Sequence, residues 1–233
     1  MIPNSAFQLP VIPLGPCPYG QTSPFQAAVL PEAAFPHREP QLIGALLRQG
    51  FRRNGAHWYR PACENCQACV PLRVDVTQHQ PRRDQRRCLQ RNRDLRVCWH
   101  DRSCDEEREE LYRRYQQAVH QEAGAHANEL HLSGSSPGGE LEARDGNGRL
   151  LAVSILDIGD DGLSSVYCYW HPDQAWRGLG TYMILREIQR CRELGLPWLY
   201  LGYSVEGCRK MTYKRRFGPQ QALIAGSWRG PLP

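Results

Sequence analysis

Lysine is almost missing from this 233-residue chain: Lys210 and Lys214 are its two, against 27 arginines. Where cations are supplied almost wholly by arginine, two lysines four residues apart are informative. Long apolar runs are missing as well. No stretch approaches the roughly 20 residues that a membrane-spanning helix needs, so a membrane partner is not expected. The first thirty residues carry six prolines and neither Arg nor Lys. That excludes the charged start and apolar middle of a secretory leader, and a cytoplasmic location is expected. The ten cysteines are then expected as reduced thiols or metal ligands rather than disulfides.

What is present is concentrated. Residues 48–96 hold twelve arginines against four acids, a local net charge of +8 in a chain of +5, so the remainder is slightly acidic. A focused basic segment suggests a phosphate-rich partner, the alternative being a solvated charged face. Residues 81–96 alone carry seven arginines. Guanidinium pairs bidentately with phosphate and carboxylate alike, so this stretch suits either an RNA backbone or an acidic peptide terminus. An RNA contact nominates Arg86, Arg87 and Arg91.

The chain divides near residue 100. Residues 1–100 read as a smaller, irregular Cys/Arg-rich domain: Pro-rich to about 40, a short helix over 41–48, a half-buried strand over 72–76, and a helix over 82–95 opened by Pro81. Residues 101–233 alternate more regularly. A polar helix over 105–118 is followed by a loop over 121–136. Strands over 140–143 and 150–156 are joined by the hairpin signal Asp145-Gly-Asn-Gly148. A strand over 163–170, a helix over 180–194, a strand over 198–203, a helix over 209–217 and a last strand over 221–228 complete the order. This α+β succession resembles the GCN5-related N-acetyltransferase fold. The resemblance implies two central strands that splay apart and donor phosphates resting on backbone N–H groups at a helix start.

Three local patterns carry chemistry. In Arg177-Gly-Leu-Gly180, Gly178 and Gly180 let backbone amides converge on an anion at a helix N-terminus, with Arg177 beside them; tight turns also use glycine for steric reasons alone. The acetyltransferase pattern wants Gln or Arg at 175, where this chain has Ala175, so a coenzyme A donor is disfavoured and the 3′ end of a tRNA suits the same cradle. The block from Leu201 to Lys214 delivers Tyr203 from a strand end. A helix then sets Lys210 and Lys214 on one face with Tyr213 close by, an arrangement that suits an active-site wall. Cys63, Cys66 and Cys69, with Cys17 or Cys88 as a fourth ligand, suit zinc or an iron–sulfur cluster, and metal-free thiols are the equal alternative.

Together Cys17-Pro-Tyr19, residues 50–73, 81–95 and 111–120, and 179–217 resemble the bacterial aspartate/glutamate leucyltransferases, relatives of the arginyl-tRNA–protein transferases. The blocks run in the family's order, and Cys-Arg-Lys-Met-x-Tyr-Lys is specific to it. Gly20, Gly178 and the stretch from His120 to His126 depart from the family's usual residues. The resemblance implies transfer of leucine from leucyl-tRNA to the N-terminal amine of proteins beginning with Asp or Glu, marking them for N-degron degradation. Arginyl transfer and coenzyme A-dependent acetylation are the alternatives within enzymes, and a non-catalytic RNA- or zinc-binding module the alternative outside them. No cofactor beyond the charged tRNA is implied, and no DNA partner. In this reading Lys210, Tyr213 and Lys214 meet the terminal adenosine or the developing oxyanion, and Tyr203 lines the same pocket. Arg52, Arg53 and Arg73 meet the acidic acceptor, and His57 or His120 relays a proton. Cys208 is available as a nucleophile, but an activated ester does not need one.

Overall fold

A computed structural model describes residues 9–31, 39–121 and 136–230. Most of the loop expected over 121–136, His126 included, lies outside them. Among these residues twelve strands form two sheets, a mixed α+β arrangement. The small one is antiparallel, in the order β1 (Val11–Pro13), β2 (Gln26–Pro31), β4 (His57–Pro61), β3 (Arg52–Asn54). It corrects the irregular reading of the first hundred residues. Its strands are short, three of them end in proline, and none alternates cleanly, so the pairing comes from contacts between distant segments rather than from local pattern.

The large sheet has eight strands. At one end lie β12 (Ser227–Arg229), β11 (Gln220–Ile224) and β5 (Val70–Asp75). Then come β10 (Trp198–Ser204), β9 (Gly162–Trp170), β8 (Leu150–Ile158), β7 (Gly138–Arg144) and β6 (Arg96–His100). The division expected near residue 100 runs through this sheet, because β5 is inserted between β11 and β10 and β6 forms the far edge. Among the described residues only β9 and β10 are parallel neighbours. Their register runs Trp198↔Gly162, Leu199↔Leu163, Tyr200↔Ser164 and goes no further, so the two strands separate beyond Ser164 and Tyr200.

Helix α1 (Pro40–Arg48) starts on Pro40, which needs no N–H partner there, and buries Ile43, Leu46 and Leu47. With Phe51, Trp58, Ala28 and Tyr200 these form a core that joins the small sheet to the large one. Helix α2 covers Arg83–Arg91 and is shorter than expected. Its end is set by tertiary contact: the Asn92 amide donates to Cys88 O and to Arg177 O, both at 2.9 Å. Helix α3 (Glu106–Tyr115) is capped by the Asp105 carboxylate accepting from Arg108 N, and its acidic first turn opposes the helix dipole favourably. Helix α4 (Leu179–Glu193) buries Leu179, Tyr182, Met183, Leu185, Ile188 and Cys191 into the main core with Leu163, Leu199 and Val74.

Two late elements differ from expectation. The last strand is a hairpin, since Ala225 and Gly226 take positive φ and turn the chain between β11 and β12. Residues Arg209–Arg216 form a 3-10 helix. With three residues per turn, positions i and i+3 align and i and i+4 do not, so Lys210 and Lys214 part company.

Candidate functional site

The gap between β9 and β10 is filled by an arginine from the small sheet. Arg52 Nη1 donates to Leu201 O at 2.9 Å, and Nη2 donates to Ser165 O at 2.5 Å and Val166 O at 3.1 Å. Ser165 and Val166 belong to β9, Leu201 to β10. The guanidinium therefore replaces the ladder hydrogen bonds lost where the strands diverge, which buried backbone carbonyls require. Gly202 admits it. The residue has φ +74°, and a β-carbon there would collide with Arg52 Nη1. The β5–β10 register also shifts between Tyr200 and Gly202. Arg52, expected at the acidic acceptor, is thus a bridge across the split.

The 3-10 helix sits over this bridge. Lys214 is buried, its Nζ donating to Tyr203 O at 2.7 Å. Burial, then the Arg52 charge, lower its amine to about 7. Tyr213 is 41% exposed as a residue, yet its hydroxyl end is desolvated beside Cys168, which pushes it up to about 12. Lys210 is exposed, on the same side as Tyr213, as i,i+3 spacing on this helix requires. Beneath the split, Glu187 on α4 is fully buried and bonded to the Ser154 hydroxyl. Burial raises its carboxyl to about 7, with Ser154, Ser165 and Arg52 acting in the opposite direction. Sequence reading missed Glu187; a lone acid on the apolar stripe of a helix is the signal that marks it.

Other nominated residues have structural partners. Tyr203 is buried, and its hydroxyl donates to Gly50 O at 2.7 Å, with Tyr59 O at 3.2 Å. It ties β10 to the small sheet. Arg53 is enclosed against Asp157 (2.9 and 3.0 Å), which Arg102 also pairs, and donates to Gly55 O at 3.1 Å. Arg73 lies between the rings of Trp198 and Trp228, 3.7 and 4.4 Å from their centroids, and donates to Gln221 Oε1 at 2.7 and 3.0 Å. Both guanidinium groups have partners within the protein.

The glycine turn is built as a rigid corner. Gly178 is left-handed at φ +68° and precedes the first turn of α4. Its carbonyl accepts from Cys88 Sγ at 3.4 Å. Gly180 lies against Trp170, which would meet an added β-carbon at 3.2 Å. Arg177 is paired bidentately with Asp94, both contacts 2.9 Å. On α2, Arg83, Arg86, Arg87 and Arg91 are exposed; Arg86 donates to Pro81 O and Arg91 to Trp176 O, each at 2.6 Å.

The thiols gather but do not close on an ion. Cys69 is raised to about 12 by burial and by Cys17, Cys63, Cys66 and Cys208 around it. Cys63 Sγ already accepts from Gln26 N at 3.3 Å, and Cys88 is buried on α2, bonded to the glycine turn. Among the described residues no three His, Cys, Asp or Glu side chains are placed to hold a metal. As placed, these thiols do not fit zinc or an iron–sulfur cluster. His57 lines a cavity of about 410 Å³ with Leu14, Tyr19, Phe25, Val29 and Tyr59. His120 packs edge-on against Tyr115, centroids 5.4 Å apart.

Comparison with known proteins follows the same outline. The family models for the N terminus and the C terminus of arginine-tRNA-protein transferase match residues 15–87 and 107–224. The aspartate/glutamate leucyltransferase of Thiobacillus denitrificans is 43% identical over 191 residues, 79% of each chain. That of Nitrosospira multiformis is 41% identical over 233 residues, 97% of this chain and 92% of its own. Among solved structures, L-PGS from Bacillus licheniformis has a TM-score of 0.50 at 13% identity, covering 61% of this chain and 48% of that one; the likeness concerns the fold alone.

Proposed function

We propose that this chain, which belongs to the arginine-tRNA-protein transferase family, moves leucine from leucyl-tRNA to the N-terminal amine of proteins that begin with Asp or Glu. It is an aminoacyltransferase, as its 41–43% identical relatives are named. The name those relatives carry, aspartate/glutamate leucyltransferase, supports leucine over arginine as the donor. A charged tRNA as donor suits a cytoplasmic setting, and among the described residues no helix is long and apolar enough to cross a membrane.

One arrangement carries the reading: Tyr213 and Lys214 pack beside Arg52 at the point where β9 and β10 part. The splayed strands match the acetyltransferase-like plan expected from the element order, in which the acyl donor enters between them. The ester is already activated, so the tasks are alignment, proton acceptance and stabilisation of the tetrahedral oxyanion. Lys214, titrating near 7, suits acceptance of the attacking amine's proton. We assign the Tyr213 hydroxyl and the Lys210 ammonium to the oxyanion or the terminal adenosine, and Tyr203 to holding Lys214 through its carbonyl. The exposed arginines of α2 and the amides at the start of α4 suit the RNA backbone.

The test is incubation of the purified chain with leucyl- and arginyl-tRNA and peptides beginning with Asp, Glu, Arg or Ala. Leucine should appear on the Asp and Glu peptides. Arginine on those peptides, or consumption of acetyl-coenzyme A instead of charged tRNA, overturns the assignment.

A further inference from the structure

Trp176 is 59% exposed, an unusual position for the largest apolar side chain, and the reading of the sequence passed over it. It lies in the 3-10 turn Pro172–Arg177, between the end of β9 at the strand split and the start of α4. The ring is held in place. Arg91 Nη1 donates to the Trp176 carbonyl at 2.6 Å. The Arg177 guanidinium lies 4.7 Å from the ring centroid, and Arg177 is itself fixed by Asp94 and by Gln174 Oε1 at 3.1 Å. Arg91 belongs to α2, where Arg83 and Arg87 are also exposed and precede it at four-residue spacing, on the same helix face.

We propose that Trp176 is a stacking platform for an unpaired nucleobase of the RNA donor, seated between the arginine ledge of α2 and the mouth of the strand split. The inference rests on the tRNA-dependent reading above and names a residue of that site. The chemistry selects the occupant. An acidic peptide would satisfy the arginines and leave the indole in water. A duplex keeps its base faces stacked inside and offers the indole none. An unpaired nucleotide brings a flat face and a phosphate in one unit, which an exposed ring beside guanidinium groups matches. A tRNA carries such nucleotides at the end that bears the amino acid, and that end must enter the split.

The experiment measures binding of two uncharged tRNALeu transcripts, one with its single-stranded 3′ end and one trimmed to the last base pair. The proteins are the full chain and its Trp176→Ala, Trp176→Phe and Trp176→Leu variants. The parent should prefer the intact transcript. Trp176→Ala should lose roughly 5- to 100-fold on the intact transcript and nothing on the trimmed one. Phe should retain most of the affinity, and Leu should behave as Ala, since apolar bulk without a π face does not stack. Equal loss on both transcripts, or no loss, overturns the proposal. So does a raised KM for the acceptor peptide with tRNA affinity unchanged, which would make the ring a protein contact. Circular dichroism melting checks that the variants fold, and the Phe and Leu variants decide if Ala does not. Failure of the parent to transfer leucine rejects the parent reading; normal transfer with unchanged binding by Trp176→Ala rejects this inference alone.

Discussion

The Arg52 guanidinium occupies the volume that a side chain on residue 202 would need, and Gly202 is left-handed where they meet. The two residues are 150 positions apart, yet each makes sense only through the other. Arg52 closes three carbonyls that diverging strands leave open, and glycine at 202 is what lets it approach. Gly202→Ala should therefore cost stability twice, through the left-handed backbone and through displacement of the bridge. The expected loss is at least about 2 kcal/mol, read as a lower urea midpoint, with transfer activity falling further than stability explains. A fully active, equally stable Gly202→Ala protein would show that the bridge is dispensable.

Arg52→Lys retains the charge but cannot fork to carbonyls on both strands. Its kcat should fall by more than tenfold with the acceptor KM little changed, since Arg52 shapes the split rather than meeting the acceptor. A selective rise in KM for peptides beginning with Asp or Glu would restore Arg52 to acceptor recognition.

Lys214 gives stability a pH dependence of known sign. Its folded amine titrates near 7, an unfolded lysine near about 10.4. Between those values the unfolded chain binds the extra proton, so folding strengthens as pH rises from about 7 toward 10. Below about 7 both states are protonated and the folded chain bears the full cost of a buried cation. Urea midpoints of the parent relative to Lys214→Met should climb across that window. A difference that stays flat with pH removes the lowered amine from the account.

Arg53 and Asp157 form a pair with both side chains fully enclosed. Without Arg53 the buried Asp157 keeps Arg102 but loses two hydrogen bonds to a charged donor, so Arg53→Met should destabilise by roughly 1.5–3 kcal/mol. The discrimination between Asp- and Ala-initiated peptides should survive in whatever protein remains folded. Loss of that discrimination at unchanged stability would place Arg53 at the acceptor after all.

The α2 arginines should act through charge. Replacing Arg86 and Arg87 with Ala should weaken tRNA binding for every tRNA sequence alike and reduce the slope of log affinity against log salt by about 1 to 2. An unchanged slope would mean the RNA lies elsewhere.

Local signals in the chain were enough for much of this protein. The hairpin at Asp145-Gly-Asn-Gly148, helix α4, strand β10 and the basic stretch of α2 follow from periodicity and turn chemistry, which act between near neighbours. So does the family, since its blocks are strings of adjacent residues. What the tertiary structure decided depends on partners far away along the chain. Nothing near Arg53 announces Asp157, and nothing near Arg73 announces Trp198 and Trp228. All three acceptor arginines looked alike as sequence, and packing gave two of them buried partners and the third a strand split to close. Helix type at residues 209–216 was decided the same way: two lysines four apart share a face only if the turn is α, and here the tighter turn buries one and exposes the other. Composition and spacing can say that a cation is present, but whether it faces a ligand or a core depends on which distant surface reaches it first.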